Sequence, residues 1–174
     1  MANWTIDTAH SEIGFKVKHL VVSTASGKFT AFEGTVEASA DDFSDAKVNF
    51  SADIDSVHTG NEQRDGHLKS ADFFDSEKFP KLTFKSTSVV KDGDDFKITG
   101  DLTMKGVTKS VVVNAEFGGI EKSLYGQTVA GFEVTTKINR QDFGLTWSAV
   151  TEAGGLVVAN DVKLHANIEL IKGE

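Results

Sequence analysis

The sequence predicts an all-β chain: about eight antiparallel strands closed into one barrel, with a short helical segment capping one end. Three observations carry this expectation. Apolar and polar residues alternate with the period of a half-buried strand through almost the whole length. The alternating runs are separated by turns of hairpin size, with neither a βαβ rhythm nor an internal repeat. A single stretch, residues 59–74, breaks the alternation and reads as a helix. Each strand offers one apolar face, so the sheet must close or fold onto itself. About eight strands make a barrel that side chains fill or that holds one small ligand.

The elements follow in order. From residue 4 to 22, Ile13, Phe15 and Val17 share one face against Lys16 and Lys18. His19 continues the apolar face, and Leu20, Val21 and Val22 then blur the pattern, which predicts a bulge or bend. Ser26-Gly27 predicts a turn. Phe29, Phe32 and Val36 do not share one parity, which predicts a second irregularity near Ala31. Residues 46–57 form the clearest strand, with Val48, Phe50, Ala52 and Ile54 facing one way and Asn49, Ser51 and Asp53 the other. Thr59-Gly60-Asn61 then starts the helix, which carries Glu62, Arg64, Asp65 and His67 and runs into Phe73-Phe74. Phe79-Pro80 opens the next strand, where the chain's only proline is tolerated.

Leu82 and Phe84 lead to the turn Asp92-Gly93; Phe96, Ile98, Gly100, Leu102 and Met104 return to a tight hairpin at Lys105-Gly106. Val111, Val113, Ala115 and Phe117 climb again, and Gly118-Gly119 is expected to begin a loop reaching Gly126. Ala130, Phe132, Val134, Thr136 and Ile138 form the next inner face, broken at Arg140 to Gly144. A short extra strand is expected over residues 145–151, ended by Gly154-Gly155. The last run, residues 156–171, turns Leu164 and Ile168 inward and His165 outward. At ~3.3 Å per residue, an unbroken strand of that length would reach about 50 Å. A tall, narrow, apolar barrel suits a long, thin, flexible apolar molecule.

Composition bounds the function. The 174 residues fit a single domain, with a core from about residue 4 to 171. A net charge of −8 argues against nucleic acid and against electrostatic attraction to anionic lipid headgroups. With no cysteine there is no disulfide, thiolate chemistry or Cys-ligated zinc. No secretory signal and no membrane-spanning run are visible, so a cytoplasmic location is expected, or a periplasmic one where a leader has been removed.

The residues give no catalytic motif: neither a nucleophile elbow, nor H-E-x-x-H, nor a phosphate loop. His58, Glu62 and His67 suggest metal ligands only if the helix includes His58, which Thr59-Gly60 argues against. No metal or cofactor is therefore expected. The candidate ligand contacts are the inward residues Phe15, Val17, His19, Phe50, Ile54, Leu82, Phe84, Ile98, Leu102, Met104, Phe132, Val134, Leu164 and Ile168. Arg64, His67 and Arg140 are the polar candidates for a ligand head group. Two blander readings stand beside these. The apolar face is equally compatible with a solid core, and Arg64 and Asp65 could simply pin the helix to the barrel rim. His10 would fix a turn.

Several segments together carry a resemblance. They are D-x-x-H-S (Asp7, His10, Ser11), F-x-V-x-H (Phe15, Val17, His19), R-D-x-H-L (Arg64, Asp65, His67, Leu68) and D-F-F-D from Asp72. F-P-x-L-x-F from Phe79, L-T-M-K-G-V-T from Leu102, Gly131-Phe132 and I-N-R-Q-D-F-G from Ile138 continue the series in order. The chain resembles the YceI-like family throughout. That resemblance implies a lipocalin-like barrel of bacterial origin that binds polyisoprenoid lipids, including isoprenoid quinones, or another long-chain amphiphile. The expectation is a carrier or store that does no covalent chemistry, alone or as a homodimer. The alternatives are an enzyme acting on such a lipid, with His67, Arg64 and Asp65 at the mouth, and a structural or stress-related domain with a solid core.

Overall fold

The computed structural model describes residues 2–20, 22–39, 42–145 and 158–173. Among them are eleven strands and one α-helix: β1 (Ala2–Ile6), β2 (Glu12–His19), β3 (Ser23–Phe29), β4 (Phe32–Ala38), β5 (Lys47–Asp53), β6 (Val57–His58), α1 (Glu62–Lys69), β7 (Lys81–Asp92), β8 (Asp95–Met104), β9 (Val107–Lys122), β10 (Thr128–Asn139) and β11 (Val158–Lys172). The first six strands are halves of three longer passes. β1 and β2 pair successively with β11, β4 and β3 pair with those same two halves, and β5 and β6 flank a 3-10 turn at Ile54–Ser56. Eight passes result, every pairing antiparallel, and the ring closes where Trp4 faces Lys172 and Ile6 faces Leu170. The fold is thus the expected eight-stranded barrel with one short helix.

The breaks have local causes. Between β1 and β2, the Asp7 carboxylate accepts the Ala9 N–H at 3.0 Å and lies 2.7 Å from His10 Nδ1. That contact holds the Asp7 carboxyl below its ordinary pKa and lifts the His10 imidazole above its own. The bend is stitched to β11, because the Asp7 N–H donates to the Glu169 carbonyl at 2.8 Å and the Glu169 N–H to Ser11 Oγ at 2.9 Å. The irregularity expected near Ala31 is the break between β3 and β4. At the hairpin joining β8 and β9, Lys105 and Gly106 both adopt positive φ, +51° and +73°, as a two-residue type I′ turn requires.

Two sequence expectations are corrected, and a third falls outside the described residues. Ser26-Gly27 is not a turn but lies inside β3, and the chain reverses between His19 and Ser23. Gly27 faces Phe15 across the ladder, and a Cβ there would lie 2.5 Å from the Phe15 ring, so the glycine serves close packing. Gly118-Gly119 does not begin a loop. β9 continues to Lys122, and these glycines form a bulge opposite Gly131, with Gly119 at φ +115°. The extra strand expected over 145–151 lies outside the described residues from 146 onward, as does Gly154-Gly155. Leu145 itself is in no strand.

Burial follows the alternation. One core cluster, with Phe15, Phe29, Ile54, Phe73, Met104 and Phe143, fills the helix end; a second, with Trp4, Val36, Phe43, Phe96, Ala130 and Leu170, fills the other. Between them Gly100 on β8 lies beside Phe84 on β7. An added Cβ would stand 2.5 Å from the Phe84 ring and 2.6 Å from the Lys85 carbonyl oxygen. Backbone cannot yield as a side chain does, so Gly100→Ala is expected to destabilise the barrel by about 1–3 kcal/mol. Urea unfolding should show a lower midpoint at unchanged slope. A midpoint equal to the parent's would mean the wall accommodates the methyl group.

Candidate functional site

The barrel is hollow. A cavity of about 200 Å³ runs between the two clusters, lined from β1 to β5 and from β7 to β11. The alternation that buries one face of each strand aims those side chains at a common axis, and eight strands leave room along it. No Asp, Glu, Lys or Arg borders it.

Nine of the residues expected from parity line this space: Phe50, Leu82, Phe84, Ile98, Leu102, Phe132, Val134, Leu164 and Ile168. Phe15, Ile54 and Met104 are buried beneath the helix end in the adjoining cluster. Val17 is half-buried on β2 opposite Val162, outside the lining. His19 ends β2 opposite Val158, and its side chain lies outside the described part of the structure. Phe96, Val113 and Ala115 also line the cavity, and their inward parity was legible in the sequence. Phe43 was not: it sits in the β4–β5 connection at φ +56°, where no alternation applies. His165, expected outward by parity, is half-buried and stands with Gly14 among the residues that line the cavity. It faces Gly14 across the ladder, and a Cβ at Gly14 would lie 2.7 Å from its ring.

The polar candidates are committed elsewhere. Arg64 donates from Nε to Thr59 Oγ1 and from Nη2 to the Thr59 carbonyl, both at 2.8 Å. Asp65 accepts the Thr59 N–H at 2.9 Å, and His67 Nε2 lies 3.0 Å from Asp72 Oδ2. The helix is capped by Asn61, whose side chain accepts the Arg64 N–H at 3.0 Å. Its own residues are not buried; the segment that follows supplies the seal through Phe73 and Phe74, with Phe74 edge-on to Phe29 at 6.3 Å. Lys105 Nζ ties this plug down, donating to the Ala71 carbonyl at 3.0 Å and to that of Gly144 at 3.2 Å.

Arg140, 3% exposed, opens the 3-10 turn Arg140–Phe143 and spends its fork on backbone: Leu145 O at 2.6 Å, Ala159 O at 2.9 Å and Val158 O at 3.3 Å. Burial draws its pKa down. The guanidinium therefore holds the ends of the connection between residues 145 and 158 and does not border the cavity.

At the opposite end the seal is aromatic. Phe43 meets Trp4 at 5.1 Å, Phe132 edge-on at 5.1 Å and Phe117 at 5.8 Å, and Phe117 stacks on Phe132. Its connection is held by local bonds, the Ser44 N–H to Asp42 at 3.0 Å and Ser39 to Asp45. These hydroxyl and amide donors hold both carboxyls below their ordinary pKa.

The described residues thus form a closed antiparallel barrel around an apolar hollow that no Asp, Glu, Lys or Arg borders. The chain belongs to the YceI-like domain family, whose model matches residues 4–170. It is 41% identical over 170 residues to a UPF0312 protein of Staphylococcus aureus strain N315, covering 97% of each chain. The crystal structure of the Campylobacter jejuni YCEI protein superposes with a TM-score of 0.76 at 34% identity, over 97% of this chain and 96% of that one. A polyisoprenoid binding domain from Saccharophagus degradans shares the fold at 17% identity, with a TM-score of 0.68 and 98% of each chain covered. Among the described residues no helix is long and apolar enough to cross a membrane.

Arg140→Met keeps the stem and deletes the fork, leaving buried carbonyls unsatisfied. The expected cost is about 2–3 kcal/mol of stability, with affinity for a cavity ligand unchanged once the protein is folded. Chemical unfolding and ligand titration on the same sample separate the two. A loss of affinity at full stability would return Arg140 to the ligand.

Proposed function

We propose that this protein takes up the tail of an isoprenoid lipid, a polyprenyl compound or an isoprenoid quinone, in its barrel and carries or stores it without covalent chemistry. The observation that carries the reading is the cavity itself: bounded mainly by aliphatic and phenyl residues, with Thr35, Asn49, Thr136 and His165 its polar members and no Asp, Glu, Lys or Arg among them. Each buried methylene is worth about 0.8 kcal/mol. A five-carbon isoprene unit therefore contributes roughly 4 kcal/mol before ordering costs are subtracted. Membership of the YceI-like family supports the reading. The polyisoprenoid binding domain among the structural neighbours is consistent with it at the level of fold.

Binding is favoured over catalysis because the groups that an enzyme would need at the mouth are engaged with one another. Arg64 and Asp65 share Thr59, and His67 faces Asp72. A volume of about 200 Å³ holds a short prenyl segment as it stands. A longer tail requires the sealing rings to turn aside.

Val113→Trp sends an indole into the cavity from the middle of β9. The parent protein, purified from its natural host and analysed by native mass spectrometry and organic extraction, should carry a prenyl lipid or take up an added one. The variant should fold with the same circular dichroism and retain at least tenfold less. Equal retention by parent and variant, or no uptake by the parent, contradicts the proposal.

A further inference from the structure

Trp4 is completely buried, and its indole Nε1–H has no hydrogen-bond partner. It is the single buried side-chain polar atom among the described residues left in that condition. A buried donor that no protein group accepts costs about 1–3 kcal/mol unless a water or a ligand oxygen takes the bond. The surroundings are specific. Trp4 sits on β1 where the barrel closes, with Lys172 Nζ 5.6 Å from its ring centroid and Phe43 packed against it at 5.1 Å. Phe43 also lines the cavity, so Trp4 stands one ring behind its end wall.

That ring is replaceable. Phe43 lies outside the ladder, in a connection secured by bonds within itself: Ser39 with Asp45, Ser44 with Asp42, and the Ala46 N–H with the Phe43 carbonyl at 3.1 Å. Displacing it breaks no strand pairing. The opposite end lacks this freedom, because Lys105 at the β8–β9 hairpin ties its plug through the Ala71 carbonyl.

We infer that Trp4 is the head-group contact of the bound lipid: its Nε1–H donates to a neutral acceptor oxygen, a ketone, quinone or hydroxyl, brought to this end when Phe43 swings aside. The chemistry follows from the neighbours. One neutral donor in an apolar enclosure satisfies one acceptor lone pair. Lys172 Nζ lies over the indole ring and is not part of the cavity wall, so a phosphate brought among Val36, Phe96, Phe132 and Leu170 would lose its water with no cation in that lining to pair with. This inference rests on the lipid-binding reading above and adds the orientation and polarity of the ligand.

The test uses three tail-matched probes, farnesylacetone, the hydrocarbon with CH2 in place of its carbonyl, and farnesyl phosphate. The protein is Trp147→Phe, which leaves Trp4 as the sole tryptophan. The ketone should bind about three- to tenfold more tightly than the hydrocarbon, the range one net hydrogen bond gives. It should also shift the Trp4 emission, and farnesyl phosphate should bind most weakly. In Trp4→Phe, which keeps an aromatic ring and loses the N–H, the ketone advantage should vanish while hydrocarbon affinity holds, with folding verified by circular dichroism. A ketone advantage that survives in Trp4→Phe, no advantage in the parent, or tightest binding of the phosphate overturns the inference and leaves lipid binding standing. Failure of all three probes to bind overturns both.

Discussion

The pairing of β1 with β11 is the constraint from which the rest descends. It converts an eight-pass sheet, otherwise with two open edges, into a ring. Once the ring exists, parity along each strand becomes a choice between axis and solvent. A slip of one residue would reverse every side chain on a strand. The register is fixed where polar bonds and packing coincide: Glu169 is stitched to Asp7 and Ser11 on the solvent side, while Leu170 pairs with Ile6 on the inner one. The hollow is thus a product of closure and alternation together, and no dedicated binding loop is needed to make it.

This explains what the sequence made legible. Wherever a strand alternates cleanly, parity placed the side chain: Phe50, Phe84, Leu102, Phe132 and Leu164 all reach the cavity. The errors fall on residues whose type serves two purposes. Glycine makes turns, but it also lets a ring lie flat against backbone, and Gly27 beneath Phe15 does the second. Gly118 and Gly119 supply a bulge, which a sequence cannot distinguish from the start of a loop because both need a residue free of Cβ. Arg140 looked like a ligand donor because a guanidinium fork suits an oxygen acceptor. Backbone carbonyls present the same oxygens, and three of them were closer at hand. Phe43 belongs to neither case: an aromatic residue at positive φ in a connection has no period from which to infer its direction.

The plug shows a similar division between appearance and load. Its helix is the conspicuous feature of the sequence, yet none of its residues is buried. Its charged side chains work inward on their own segment, converging on Thr59, whose N–H, hydroxyl and carbonyl all engage Asp65 or Arg64. What closes the barrel is the turn that follows, with Phe73 and Phe74 against Phe29 and the floor of the core. The helix supplies geometry, and the rings supply the apolar seal.

The two ends therefore differ in the cost of opening. Freeing the plug means breaking the Lys105 bond to the Ala71 carbonyl and exposing Phe73 from a cluster that also contains Phe15, Phe29 and Met104. Freeing Phe43 means parting its ring from Trp4, Phe117 and Phe132, while the strands on either side keep their ladders. The apolar packing that one ring gives up is restored when an apolar chain takes its place, because dispersion and burial do not depend on which hydrocarbon fills the space. Hydrogen bonds to fixed carbonyls are not restored that way. An apolar chain entering at the Phe43 end would restore the packing it displaces, whereas one entering at the plug end would leave the Lys105 bond to Ala71 broken. That asymmetry gives the barrel a direction, although its lining is almost uniform along its length.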